Sequence, residues 1–336
     1  MLNHIKTLQK IGQTFKKDKT DFLELTEAIN DFKRITQELS TININEESNK
    51  QDVYLNNGKA LGTTWAAMCI DDILRTKKFI KGIFKAIDSL KAKQNKPIHI
   101  LYAGTGPYAT LLLPILATYS QQEIKVTLVE INKESFNNMK QVISLLGLSE
   151  HVISYENEDA TTLKISSKTP IDIIVSETLQ CGLVKEQQVP ITINLLNQVG
   201  KNTILIPEML ALDVCLMNYN AFKNRTSETK ENDYCLVLDR LIEINSNSNE
   251  IFNLDLNDSS TQILAEKIIT IDPENTTLYE TLFLVTRITV FGDEKILINE
   301  SGLTVPIFLD EFSYLKEEKT FKISYKVDVE PGYIIN

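Results

Sequence analysis

The feature that most constrains this chain is a run of short β-branched segments alternating with helical ones between residues 98 and 206. Strand-like stretches at 98–103, 126–131, 151–156, 171–176 and 203–206 are separated by helical stretches near 108–119, 133–146 and 187–198. Consecutive parallel strands need a crossover, and a helix supplies it, so this alternation predicts an α/β fold: a Rossmann-like parallel sheet with helices on both faces.

The flanks read differently. Leu8, Ile11, Phe15, Phe22, Leu25, Ile29, Phe32 and Ile35 recur mostly at steps of three, four or seven, which predicts two helices joined near Lys19-Thr20-Asp21, with Asp21 as a cap. The polar stretch 41–51 reads as a loop at a domain boundary. Residues 62–87 are amphipathic and read as a helix feeding the first strand. After Pro207, runs at 210–216, 235–238, 282–290, 295–298 and 320–327 predict a mostly antiparallel β domain. The expected organisation is a helical extension over 1–50, the α/β domain over 51–209 and the β domain over 210–336.

The 336 residues carry a formal net charge of -10, which argues against sequence-independent binding to nucleic-acid phosphates. Lys6, Lys10, Lys16, Lys17 and Lys19 read as a solvated helix face. Cys69, Cys181, Cys215 and Cys235 lack metal-ligand spacing and read as reduced thiols. The N-terminus lacks the apolar core of a signal peptide, and no apolar stretch is long enough to cross a bilayer, so a cytoplasmic protein is expected, with no metal and no membrane partner.

Gly104-Thr105-Gly106 follows the first strand and is expected to open a helix, which would set backbone N–H groups against a ligand with no Cβ in the way. Glu130 ends the next strand, where a carboxylate can accept from ribose hydroxyls. Asp159, after the third strand, can accept from an adenine amino group. Together these suggest an adenosyl ligand. A nicotinamide dinucleotide stays open, but Ala109 stands where the longer glycine pattern would continue, and S-adenosylmethionine, which has no pyrophosphate, needs less glycine.

At this point the chain resembles the protein arginine methyltransferases. Asp72-Ile73-Leu74-Arg75-Thr76 looks like the family's D-x-x-R-T helix. The segment from Ser176-Glu177 to Lys185-Glu186 looks like its double-glutamate loop, with the two acids nine residues apart. The resemblance covers about residues 60–215. It implies that Arg75 pairs with the carboxylate of the cofactor's methionine part, and that Gly104, Thr105, Gly106, Glu130 and Asp159 bind the remainder. Glu177 and Glu186 would then hold the acceptor. A guanidinium is planar, permanently cationic and a poor nucleophile, and two carboxylates can fork it and aim one nitrogen at a methyl donor.

The departures point to the acceptor. Leu101-Tyr102-Ala103 and Pro107 flank the glycine turn. Gly58-Lys59-Ala60-Leu61-Gly62-Thr63-Thr64-Trp65 replaces the family's paired-tyrosine helix, leaving Trp65 or Tyr54 as candidate lids. Thr178-Leu179-Gln180 replaces Trp-Met-Gly. The Thr-His-Trp loop is missing, since the histidines are His4, His99 and His151. The expected activity is therefore N-methylation of a small guanidine or amine acceptor. Protein arginine methylation, transfer of the aminocarboxypropyl arm and a non-catalytic binding role stand as alternatives. Residues 241–256 read either as an arm for homodimerisation or as a plain surface loop.

Overall fold

The structure is a computed structural model that describes residues 2–19, 21–166, 170–312 and 315–336. Five parallel strands, β3 (Ile98–Ala103), β4 (Ile124–Val129), β5 (Val152–Glu156), β6 (Ile173–Ser176) and β7 (Ile204–Ile206), form one sheet in the order β5-β4-β3-β6-β7. Successive side chains of a strand point to opposite faces, and the two faces here bury different cores. Ile98, Ile100, Tyr102, Val126, Leu128, Ile173 and Val175 pack on one side. Leu101, Ala103, Val129, Ile174 and Leu205 pack on the other, against Ile191, Leu195 and Leu196 of α7 (Gln188–Leu196).

The first face is covered by α4 (Ile73–Lys91), α5 (Leu113–Thr118) and α6 (Lys133–Leu145). The N-terminal helices α1 (Leu2–Lys16) and α2 (Phe22–Leu39) join the same core through the fully buried Leu8, Phe15, Phe32 and Ile35. Asp21 caps α2 by accepting from the Leu23 N–H at 3.4 Å; Thr20 lies outside the described residues. Where one helix over 62–87 was expected, the chain forms α3 (Thr63–Met68), a 3-10 turn and then α4. Asp72 causes the break: its carboxylate caps the Arg75 N–H at 3.1 Å and starts a new helix.

The C-terminal part contains β8 (Met209–Met217), β9 (Cys235–Asn245), β10 (Gln262–Ile271), β11 (Thr281–Phe291), β12 (Glu294–Ile296), β13 (Ile307–Glu311), β14 (Lys319–Val327) and β15 (Gly332–Ile335). All pair antiparallel, in one sheet ordered β12-β11-β8-β9, with β13 also on β11, and a second ordered β10-β14-β15. The expectation of an antiparallel β domain therefore holds, although β10, β13 and β15 were not anticipated. Residues 241–245 complete β9, and the following turn folds back so that Asn249 donates to the Leu196 carbonyl of α7 at 3.4 Å. The two parts press together closely: a Cβ on Gly82 of α4 would lie 2.5 Å from Val290 of β11. Among the described residues no helix is long and apolar enough to cross a membrane.

Candidate functional site

A cavity of about 400 Å³ opens beyond the carboxyl ends of β3, β4 and β6. The strand order reverses between β3 and β6, and open α/β sheets bind ligands at that crevice. Gly104, Thr105, Gly106, Glu130, Arg75, Glu177 and Glu186 all line it. The structure thus gathers residues spread over more than a hundred positions of sequence.

The glycine turn works differently from the expected helix start. Gly104 and Gly106 have φ of +75° and +61°, and Ala109 follows at +47°. Left-handed residues cannot continue an α-helix, and Pro107 offers no N–H, so six-residue α5 begins only at Leu113. Glu130 organises the turn instead. Its carboxylate accepts from the N–H of Gly106 and of Asn132, both at 2.8 Å. Burial raises its pKa to about 7 against the lowering effect of those bonds. The Ile131 N–H and the Thr105 hydroxyl add to the bonds on this carboxylate.

On the opposite wall, Arg75 rises from the first turn of α4 and forms an ion pair with Glu177, which leaves the end of β6. Arg75 Nη1 also reaches the Cys69 carbonyl at 3.4 Å, whereas its buried Nε has no partner among the described residues. Asp72, three residues earlier, accepts from Ser301 Oγ at 2.6 Å and from the Gly302 N–H at 2.9 Å. These bonds draw the loop after β12 to the cavity, where Gly302 and Leu303 form part of the wall.

The loop carrying the two glutamates is irregular, with positive φ at Gly182, Leu183 and Lys185. The β domain holds it in shape. Thr286 Oγ1 accepts from the Gly182 N–H at 2.7 Å, the Tyr325 hydroxyl donates to the Leu183 carbonyl at 2.8 Å, and the Lys185 N–H donates to the Pro331 carbonyl at 2.8 Å. Glu186 ends the loop nearly buried, and desolvation pushes its pKa up to about 7, opposed by a hydrogen bond from Gln180 and the charge of Arg75.

Asp159 is not brought to the cavity. Its side chain turns back to accept from the Thr161 N–H at 2.8 Å, and Glu158 and Ala160 line the wall on either side of it. Trp65 and Tyr54 are exposed and do not line the cavity; the Trp65 indole donates to the Lys50 carbonyl at 2.9 Å. His99 bonds to Thr127 Oγ1 and the Pro170 carbonyl, and His151 to the carbonyls of Leu148 and Tyr119, all away from the site. Sequence reasoning missed Lys59 and Gln187, both of which line the cavity. The signal for Lys59 was Asn56-Asn57 ahead of Gly58, a two-residue turn that closes a hairpin of β1 (Val53–Leu55) and β2 (Gly58–Ala60).

No protein-family model and no curated protein sequence matches this chain. Among solved structures it is similar to the crystal structure of PRMT6, with a TM-score of 0.53 and 11% identity over 80% of this chain and 97% of that one. It is also similar to the Trypanosoma brucei PRMT1 enzyme-prozyme heterotetrameric complex with AdoHcy, with a TM-score of 0.48 and 12% identity over 80% of this chain and 95% of that one. The chain therefore has the fold of PRMT6, a parallel α/β sheet followed by an antiparallel β domain, carried by a strongly divergent sequence.

Proposed function

We propose that this protein is an S-adenosylmethionine-dependent N-methyltransferase acting on a small guanidine or amine. The observation that carries the reading is that Arg75, Glu130, the glycine turn, Glu177 and Glu186 share one cavity. Its size falls within the range of small-molecule sites, roughly 300–1,000 Å³. The residues fit the cofactor: the buried Arg75 Nε lacks a partner among the described residues, so the guanidinium has a donor left for a carboxylate, and Glu130 lines the cavity just past the end of β4, where a carboxylate can accept from a ribose. Glu158 rather than Asp159 is then the acid available to the adenine side.

When bound, S-adenosylmethionine supplies an electrophilic methyl on a sulfonium. Glu177 and Glu186 fork the acceptor cation and hold one nitrogen in a single orientation. The cationic Arg75 already balances Glu177, so Glu186 provides most of the negative charge felt by the acceptor. With its pKa near neutrality, Glu186 is also matched to take the proton that the alkylated nitrogen sheds.

The test is incubation with methyl-labelled S-adenosylmethionine and a panel of arginine, related amines and basic peptides. Label in a small acceptor, with S-adenosylhomocysteine as the second product, supports the reading. Label in peptides alone reverses the choice of acceptor, and methylthioadenosine as product replaces methyl transfer with transfer of the aminocarboxypropyl arm.

A further inference from the structure

The β1–β2 hairpin lies against the end of the double-glutamate loop. The Lys59 N–H donates to the Lys185 carbonyl at 2.8 Å, and Lys59 and Glu186 form a parallel bridge. Residues paired in a bridge direct their side chains to the same face, and both of these line the cavity. The approach is tight, because a Cβ on Gly58 would lie 2.8 Å from the Lys185 carbonyl oxygen and 3.1 Å from Gln187 Cγ. Glycine, here at φ of +125°, is what lets the hairpin seat.

Two donors result beside Glu186. The Lys59 ammonium is largely buried and, among the described residues, gives one hydrogen bond, to Asp52 at 2.5 Å. Asp52 is itself held by the Gly62 N–H at 2.9 Å. An ammonium has three donors, so two remain. Gln187 is 3% exposed, and its side-chain nitrogen has no partner among the described residues. A buried donor left without an acceptor is costly, so such a group marks a place where an acceptor atom is missing.

We infer that Lys59 and Gln187 form an anion subsite in the acceptor half of the cavity, which reads a carboxylate on the acceptor and so selects a zwitterionic guanidine of the amino-acid class. This rests on the methyltransferase reading of the cavity. One carboxylate satisfies both donors in charge-assisted bonds. An acceptor that is only cationic brings nothing to the donors left over once Lys59 has bonded to Asp52, and it forfeits the charge-assisted bonds that the carboxylate makes. An arginine within a polypeptide has no α-carboxylate to offer.

The experiment compares kcat/KM of the full chain for arginine, for agmatine, which has the same guanidine without the carboxylate, and for a peptide with arginine at an internal position. We expect arginine to be preferred over both by at least about 10- to 100-fold. The preference should collapse toward unity in Lys59→Gln and Gln187→Leu, with retained S-adenosylhomocysteine binding showing that each variant is folded. Equal or better use of agmatine or the peptide by the unmodified chain overturns the subsite and leaves the methyltransferase reading standing; that comparison needs no variant. Folded variants that keep the full preference for arginine overturn it too. Methylation of no guanidine at all overturns the acceptor reading and the subsite together.

Discussion

Arg75 and Glu177, far apart in sequence, meet as a buried ion pair in the wall of the cavity. One belongs to the first turn of a helix and the other to the end of a parallel strand. Each was expected to serve a different ligand, Arg75 the cofactor and Glu177 the acceptor, so the pair connects the two halves of the site.

Breaking the pair from either side should have different effects. Arg75→Ala leaves Glu177 buried and uncompensated, and a loss of about 3–5 kcal/mol is expected, together with loss of S-adenosylhomocysteine binding in calorimetry. Glu177→Gln keeps a hydrogen-bonding group against Arg75. It should retain S-adenosylhomocysteine binding while methyl transfer falls at least about 100-fold, as for loss of a group that orients and stabilises the reacting centre. Undiminished turnover in Glu177→Gln excludes the double-glutamate mechanism.

The raised pKa of Glu186 predicts a pH dependence of stability with a defined sign. The fold favours its protonated form, so its contribution is complete below the ordinary glutamate value of 4.5 and is lost as pH rises through about 7. Glu186→Gln removes this contribution. Thermal melts from pH 5 to pH 8 should therefore show the variant gaining on the parent as pH rises. Binding of a cationic acceptor to the parent should strengthen over the same interval, because only the ionised carboxylate attracts it.

Gly104→Ala should disrupt the cofactor end of the cavity. The added Cβ would lie 2.2 Å from Thr178 Cγ2 at a φ of +75°, and a loss of about 1–3 kcal/mol is expected from strain, with weakened S-adenosylhomocysteine binding. Gly292→Ala is the control. It has a φ of +59° but open space around it, so only the backbone term of about 1–2 kcal/mol applies. Equal effects of the two substitutions would show that the contact with Thr178 contributes nothing.

In the β domain, Asp213 is the shared partner of Arg240 at 2.8 Å and Arg287 at 3.0 Å, and Arg287 also meets Glu231 at 2.6 Å. Asp213→Ala should cost about 3 kcal/mol, because it leaves the partly buried Arg287 under-compensated. Chemical denaturation measures this directly, and a loss under about 1 kcal/mol would place Asp213 with ordinary surface pairs.

The sequence by itself determined the parallel sheet. Strand alternation reports burial on both faces and needs no long-range information, which is why β3, β4, β5, β6 and β7 were legible to within a few residues. It also singled out Glu130, as a carboxylate ending the strand after a glycine turn, while the resemblance to the protein arginine methyltransferases is what pointed to Arg75, Glu177 and Glu186. What the tertiary structure decided is which side chain faces the cavity. Asp159 and Glu158 are neighbours in a loop without periodicity, and the bond to the Thr161 N–H turns Asp159 away. The glycine turn reads as a helix start until positive φ at Gly106 and Ala109 diverts the chain. Lys59 reaches the site only because the hairpin packs on the double-glutamate loop. Packing of that kind arises between segments more than a hundred residues apart, and local propensity carries no record of it.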